Sequence, residues 1–196
     1  MTGSPESRRP GTVWVVAGAP GAGKSTLADA LRQRLSPSPA ILDKDTLFAG
    51  FVDEVRRAHG RSAGEREGPW YDAHVKIHEY DGMTAAAAQI RSSGCPVLLV
   101  GPFTTQIRDR VAWASWVDRL GGEPVRLVWV RVRPDLLRDR LTRRGSPLDG
   151  GKLAHWDRFV DRIRPDVPPP VPHVGIDNGG TPEELLRRVT ALAEDG

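Results

Sequence analysis

Residues 18–26 read Gly-Ala-Pro-Gly-Ala-Gly-Lys-Ser-Thr, which matches the pattern G-x-x-x-x-G-K-[S/T] at every position. The run follows Thr12–Ala17, an apolar and largely β-branched stretch typical of a buried strand, and precedes a helical pattern from Gly23 to about Leu35. Glycines let the backbone curl so that successive N–H groups point inward, and the helix N-terminus adds a dipole that attracts anions. The loop therefore predicts a strand–loop–helix unit that binds the phosphates of a nucleoside triphosphate.

The side chains of this phosphate loop have separate expected roles. We expect Lys24 to reach the β and γ phosphates and Ser25 to offer its hydroxyl to Mg²⁺. The whole loop is predicted to bind the nucleotide, which gives as cofactor-binding residues Gly18, Ala19, Pro20, Gly21, Ala22, Gly23, Lys24, Ser25 and Thr26.

Short apolar runs alternate with helical patterns along the 196 residues, which predicts an α/β fold with a parallel sheet covered by helices on both faces. Ligands in such folds bind at the carboxyl ends of the strands. We expect one domain over residues 12–196 after a disordered tail, residues 1–11, and a loop at 59–68. The predicted strands are Thr12–Ala17, Ala40–Leu42, Val97–Val100, Val125–Val132 and His173–Asp177.

Composition excludes several classes of protein. No apolar run approaches the roughly 18 residues that cross a bilayer, and the polar N-terminus lacks the apolar region of a signal peptide. A single cysteine, Cys95, cannot form an intramolecular disulfide. We therefore expect a cytoplasmic protein without a membrane partner.

Two carboxylates follow the second predicted strand, and their spacing suits phosphoryl transfer. Asp43 and Asp45 lie two positions apart, so one can face Mg²⁺ while the other faces the space beyond the γ phosphate. A hydroxyl acceptor needs a carboxylate within hydrogen-bond reach to take its proton. We assign Asp45 as the base and Asp43 as the metal-side residue, although the sequence also allows the reverse. The alternative is that Asp45, with Thr46, caps the next helix.

Positive charge is concentrated in one segment. The net charge is +3, yet residues 126–164 hold eleven Lys or Arg against five Asp, a local charge of +6. Arg140 and Arg144 lie four apart on one predicted helix face, after the fourth strand and beside Gly145. Arginine binds phosphate bidentately, so both are candidates for neutralising a transferring phosphoryl group, with a solvated basic face as the alternative.

With these residues in place, the chain resembles the P-loop kinase-like group of small AAA-like ATPases that includes zeta toxins, chloramphenicol phosphotransferase, shikimate kinase and gluconate kinase. The resemblance spans about Thr12 to Ala193, and only its phosphate loop is highly specific. The other matching features are the Asp43 and Asp45 pair, the Gly-Pro-Phe end of the third strand, and the Arg140–Gly145 segment at the lid of that group.

The resemblance implies a three-layer fold with strand order 2-3-1-4-5, a lid at about 133–164, and transfer of the γ-phosphoryl group of ATP, with Mg²⁺, to a hydroxyl. It also implies that Asn178, after the fifth strand, lies where related kinases hold the adenine. One departure is that the third strand ends Val100-Gly101-Pro102-Phe103 without an acidic residue. Metal binding then depends on Ser25 and Asp43, which argues against a motor-type or switch-type NTPase.

The acceptor pocket is expected where the variable elements meet. Aromatic rings can stack on a sugar or ring, and an arginine can hold an anionic group. The candidate substrate-binding residues, besides Asp45, are Trp70, Tyr71, His74, Phe103 and Arg108.

The leading hypothesis is an ATP-dependent kinase that phosphorylates a hydroxyl of a small molecule, such as an antibiotic, natural product or metabolite. Its catalytic residues would be Lys24, Asp45, Arg140 and Arg144. The alternatives are a zeta-toxin-like kinase of a UDP-sugar, a nucleic-acid-end kinase, and a non-catalytic nucleotide-binding module. Because the positive charge lies in one segment rather than in a broad stripe, we do not expect a nucleic-acid partner. A monomer or homodimer is expected, and the sequence does not separate ATP from GTP.

Overall fold

A computed structural model describes residues 9–61 and 68–194 of the chain. Residues 1–8 of the expected tail and residues 62–67 of the expected loop lie outside this range. Five parallel strands form one sheet in the order β2-β3-β1-β4-β5, which confirms the predicted fold class and strand order. The strands are β1 Val13–Gly18, β2 Ala40–Asp43, β3 Val97–Val100, β4 Val125–Arg131 and β5 Val174–Asp177.

Helices connect and cover the strands, as predicted. They are α1 Lys24–Arg32, α2 Lys44–Ala58, α3 Pro69–Tyr71, α4 Ile77–Ser92, α5 Arg110–Arg119, α6 Pro134–Arg144, α7 Gly150–Ala154, α8 Trp156–Ile163 and α9 Pro182–Glu194. The sequence Thr181-Pro182-Glu183-Glu184 predicts a capping box at the start of the last helix. It is confirmed, since Glu184 N donates to Thr181 Oγ1 at 3.3 Å and Thr181 N donates to Glu184 Oε2 at 3.0 Å. No helix within the described ranges is long and apolar enough to span a membrane.

Two apolar layers hold the sheet between the helices. Because successive strand residues point to opposite faces, Trp14 and Val16 of β1 pack into one layer while Val13 and Val15 pack into the other. All six residues of β1 are buried. The central strand is therefore covered on both faces, as its apolar sequence predicts.

The helix that carries the two candidate arginines is packed against the phosphate loop. Leu137 and Leu141 of α6 are fully buried in the same layer as α1. A Cβ at Gly21, which has φ +82°, would lie 2.7 Å from Leu141 Cδ2 and 3.2 Å from Leu137 Cδ1. The bounds of the lid, 133–164, stay a prediction. Within that segment, these leucines pack α6 against the core, so the two candidate arginines are carried by a helix that is anchored beside the phosphate loop.

The helical pattern of residues 69–93 predicts one long helix, but the structure interrupts it. A π-helical turn, Asp72–Lys76, lies between α3 and α4. A π turn adds a residue to the helical repeat and shifts the side chains that precede it around the axis, and such turns occur frequently at functional sites. The glycine-rich composition of residues 145–151 predicts a turn, and the structure has there a short 3₁₀ helix, Pro147–Asp149, followed by the start of α7.

Candidate active site

A cavity of about 550 Å³ lies at the carboxyl ends of the strands. The phosphate loop lines one side, the start of α2 and the π turn line a second, and residues of 140–163 line the third. Of the sequence candidates outside the loop, it contains Asp43, Asp45, Tyr71, Arg140 and Arg144. The fold thus brings together residues more than one hundred positions apart.

Lys24 is held inside the phosphate loop. Its Nζ donates a hydrogen bond to the carbonyl oxygen of Ala19 at 3.0 Å. Burial lowers the pKa of Lys24 to about 8, while the carboxylates of Asp45 and Asp43 oppose that shift and the guanidinium of Arg144 adds to it. The charges of both Asp residues and of Arg144 therefore act on the ammonium that is expected to meet the phosphates.

Asn178 fixes the shape of the loop. Its Nδ2 donates to the carbonyl oxygen of Ala22 at 2.8 Å, and the residue is buried. A Cβ at Gly23, where φ is +90°, would lie 2.2 Å from that nitrogen, so only glycine fits. The sequence motif explains why a glycine is needed but contains no signal for the asparagine 155 positions later. The expected place of Asn178 beside the adenine stays a prediction, and the structure gives its side chain a structural contact.

The carboxylate of Asp43 makes two kinds of contact. Oδ1 accepts hydrogen bonds from the backbone N–H of Asp45 at 2.9 Å and of Thr46 at 3.2 Å, which makes Asp43 the N-cap of α2. Oδ2 accepts from Ser25 Oγ at 3.2 Å. The alternative in which Asp45 caps this helix is wrong, because Asp45 already lies within its first turn.

Ser25 and Asp43 form an oxygen donor set of the kind that Mg²⁺ accepts. Mg²⁺ is bound in nucleotide sites through one or two protein oxygens plus phosphates and water, rather than by an all-protein cage. The Ser25 hydroxyl and Asp43 Oδ2 meet that requirement, since they lie 3.2 Å apart beside the phosphate loop. These two residues therefore fit the metal role expected from the sequence.

Asp45 projects into the cavity from the start of α2, and its side chain is 76% exposed. The buried Lys44 lies behind it, with Nζ 3.1 Å from Asp45 Oδ1 and 3.2 Å from Glu79 Oε1. Glu79 is also buried, and its Oε2 accepts a hydrogen bond from the hydroxyl of Tyr71. Sequence reasoning missed Lys44 and Glu79 because a lone Lys or Glu in a helical pattern is typical of a solvated surface.

The two candidate arginines of α6 take different partners. Arg140 Nη2 donates to the carbonyl oxygen of Asn178 at 2.7 Å, and burial, together with the charge of Arg143, lowers the pKa of Arg140. Arg144 forms a bidentate pair with Asp149, a residue that the sequence gave no reason to select. Both arginines line the cavity, as their spacing predicts.

Four expected substrate residues lie elsewhere. Phe103 is fully buried and packs against Tyr80 and Trp116, so it belongs to the core and is withdrawn as a pocket residue. Trp70 and His74 contact each other, with ring centroids 5.7 Å apart, and Arg108 is an exposed partner of Asp109. Within the described part of the chain, the cavity lining includes none of these four.

The second side of the cavity, formed by the start of α2 and the π turn, is instead lined by residues that the sequence did not select. They are Asp72 and Lys76 of the π turn, which form an ion pair at 3.0 Å, and Tyr80 of α4. The tyrosine is buried, and its burial raises the pKa of its hydroxyl above the usual range. Asp72, Lys76 and Tyr80 lie at four-residue intervals, a spacing that places side chains on one side of a helix.

Several solved structures of similar architecture are described as kinases. A presumed kinase from Chloroflexus aurantiacus J-10-fl is similar over 95% of this chain and 98% of its own, with a TM-score of 0.67 and 21% identity. A gluconokinase from Sinorhizobium meliloti 1021 is similar over 96% of both chains, with a TM-score of 0.55 and 19% identity. The APS kinase CysC of Mycobacterium tuberculosis covers 95% of this chain and 99% of its own, at a TM-score of 0.51 and 19% identity. At such identities the likeness establishes the fold.

The sheet order, the phosphate loop and this likeness define a P-loop kinase-like NTPase fold. The family model described as an AAA domain matches residues 13–165, and the chain belongs to that family. None of the proteins with curated functions matches the chain in sequence.

Proposed function

We propose that this protein is an ATP-dependent small-molecule kinase that transfers the γ-phosphoryl group to a hydroxyl. The observation that carries the proposal is that the phosphate-binding Lys24 and the exposed carboxylate of Asp45 line one cavity. Asp45 also has the largest charge effect on the pKa of Lys24. A carboxylate so close to the phosphate site is suited to accept a proton from a hydroxyl that attacks the terminal phosphate.

The bonds and the proton of the proposed reaction are all accounted for by ATP, the acceptor and the residues of this cavity. The acceptor oxygen forms a bond to the γ phosphorus while the bond from that phosphorus to the leaving oxygen of ADP breaks, and the hydroxyl proton passes to Asp45. Ser25 and Asp43 would hold Mg²⁺, which neutralises phosphate charge when bound. Lys24, Arg140 and Arg144 supply fixed positive charge around the transferring group.

The acceptor side favours a polar substrate. Asp72 and Lys76 present one charge of each sign, and Tyr71 and Tyr80 line the same side of the cavity. Such a surface can hydrogen-bond a polyhydroxylated or charged molecule, whereas an apolar acceptor would take the Asp72–Lys76 ion pair out of water without offering it new partners. The gluconokinase and the APS kinase of similar fold carry different acceptors in their names, so the fold alone leaves the acceptor open.

The test is ATP consumption in the presence of hydroxylated metabolites, sugars and antibiotics, followed by mass detection of the phosphorylated product. The panel also includes UDP-sugars and 5′-hydroxyl oligonucleotides, so each alternative kinase would produce its own product. Loss of the general base typically costs about 10²- to 10⁴-fold in rate. We expect Asp45→Asn to lose turnover by that factor while ATP affinity stays within about threefold, because the substituted group faces the acceptor.

The matched control is Glu54→Gln, the same chemical change at an exposed position on α2. It should keep the wild-type turnover. An Asp45→Asn protein with wild-type turnover would remove Asp45 as the base. A wild-type protein that binds ATP yet phosphorylates nothing in the panel would favour the non-catalytic nucleotide-binding module.

A further inference from the structure

Asp149 is a fully buried carboxylate at the edge of the candidate active site. The Nε of Arg144 donates to its Oδ2 at 2.8 Å, and the Nη2 of Arg144 donates to its Oδ1 at 2.7 Å. Lys152 Nζ donates to the same Oδ1 at 3.2 Å. A buried carboxylate costs stability unless it is paired, and here two cations compensate it.

The backbone around Asp149 fixes its direction. Helix α6 ends at Gly145, which has φ 59° and the left-handed conformation that suits glycine. Ser146 Oγ then accepts from Leu148 N at 3.3 Å, and Asp149 N donates to the carbonyl oxygen of Ser146 at 2.9 Å. This short turn brings Asp149 back to the arginine five residues earlier.

The pairing uses one edge of the Arg144 guanidinium. A guanidinium has five N–H donors in a planar fork, and Asp149 takes the Nε and Nη2 edge. The Nη1 edge therefore faces away from the carboxylate. Arg144 lines the cavity, and its charge lowers the pKa of Lys24, so the guanidinium lies within electrostatic reach of the phosphate site.

We propose that Asp149 is a positioning residue that orients Arg144 toward the transferring phosphoryl group. The inference rests on the proposed function, because it needs a phosphoryl group to be transferred in this cavity. Asp149 acts through Arg144 and touches neither substrate. The bidentate contact removes the rotamer freedom of a long side chain, so the entropy cost of ordering it is met on folding rather than during the reaction.

The opposite role, in which Asp149 sequesters Arg144 from the phosphates, agrees less well with the geometry. Leu137 and Leu141 anchor α6 against Gly21 of the phosphate loop, so the backbone of Arg144 is already fixed beside the site. A fixed helix needs no carboxylate to hold its arginine away from the loop. The position of α6 does not set the direction of the Arg144 side chain, and the contact with Asp149 does.

The experiment compares nucleotide affinities and needs no acceptor. The affinity for ADP with Mg²⁺ is measured by calorimetry without and with aluminium fluoride, which mimics the planar transferring phosphoryl group. The ratio of the two affinities isolates groups that act on that phosphoryl group. A misplacement of about 1 Å costs on the order of 10²-fold, so we expect Asp149→Asn to reduce the ratio about 10²-fold while ADP affinity alone stays within about threefold.

Three further proteins make the result specific. Arg144→Ala should reduce the ratio as well, and the double variant Arg144→Ala/Asp149→Asn should be no worse than Arg144→Ala, because Asp149 acts only through that arginine. The matched control is Asp139→Asn, an exposed carboxylate on α6, which should keep the wild-type ratio. Retained ADP affinity in each variant establishes that the phosphate loop is folded.

The outcomes are distinguishable. Asp149→Asn with the wild-type ratio, with a raised ratio, or with an effect that persists in the Arg144→Ala background would overturn the positioning role and leave the proposed function standing. A wild-type protein whose ADP affinity is not raised by aluminium fluoride would likewise overturn the positioning role and leave the proposed function standing. A wild-type protein that fails to bind ADP at all would instead remove the proposed function, and this role with it.

Discussion

Asp43 contributes to folding through one oxygen and to the candidate metal site through the other, and substitutions can separate the two. Oδ1 caps α2 through two backbone N–H groups, whereas Oδ2 accepts the hydrogen bond from Ser25. Asparagine caps helices about as well as aspartate but carries no charge, and alanine does neither. Asp43→Asn therefore tests the metal role while keeping the cap, and Asp43→Ala removes both.

The expected stabilities follow from the cap. Asp43→Ala leaves two N–H groups without their acceptor, which costs about 1 kcal/mol, or roughly 2–4 °C in melting temperature for a domain of this size. Asp43→Asn loses only the favourable charge at the helix N-terminus, about 0.5 kcal/mol. Both are measured by thermal unfolding without nucleotide or Mg²⁺, so that metal binding does not contribute.

The metal role predicts a different ranking of the variants, because both Asp43 substitutions remove the carboxylate charge. Loss of a carboxylate that contacts a metal or its ligand typically costs about 10- to 100-fold in metal affinity. Both Asp43 variants should therefore need about 10- to 100-fold more Mg²⁺ for half-maximal tightening of ATP binding, as measured by calorimetry at a series of Mg²⁺ concentrations. Wild-type Mg²⁺ dependence in Asp43→Asn would refute the metal assignment. If the alanine variant is as stable as the asparagine variant, the reasoning about the cap fails.

Two further predictions concern lysines. The pKa of Lys24 is lowered to about 8 in the free protein, and bound phosphates raise it, so ATP affinity should be fully present below about pH 8 and fall as the pH rises above that value. Calorimetry should find this decline absent in Lys24→Met; a wild-type affinity that is constant over the same range would contradict it. Lys44→Met leaves the buried carboxylate of Glu79 without its cation and should cost about 3 kcal/mol in urea unfolding, most of which Lys44→Met/Glu79→Gln should recover. A double variant as unstable as the sum of its parts would contradict this pairing.

Features that depend on neighbouring residues were predictable from the sequence. The phosphate loop, the strands and the capping box at Thr181 are each specified within a few positions, and the structure has them where the patterns indicate. The strand order came from the family resemblance, because adjacent residues do not determine which strands pair.

Features that depend on contacts between distant segments were not predictable. Lys44 and Glu79 are 35 positions apart and form a pair only because α2 and α4 pack together. Phe103 has an aromatic side chain after a strand that ends at the site, which favours a pocket residue by position. Its backbone, however, has the left-handed φ of 48°, and its ring packs in the core layer with Tyr80 and Trp116.

Three site residues use one group for folding and another for the site. Asp43 caps α2 and contacts Ser25, and Asn178 ties the loop at Ala22 and accepts from Arg140. Asp149 is a buried carboxylate that pairs with the half-exposed Arg144, which we propose it orients. Removing such a side chain changes stability and activity together, because both groups are lost at once. At Asp43 an amide keeps the shape of the side chain and an acceptor for the two cap hydrogen bonds while removing the charge. The charge is the property that phosphoryl transfer requires, so activity that falls while stability is largely kept is the signature expected of Asp43→Asn.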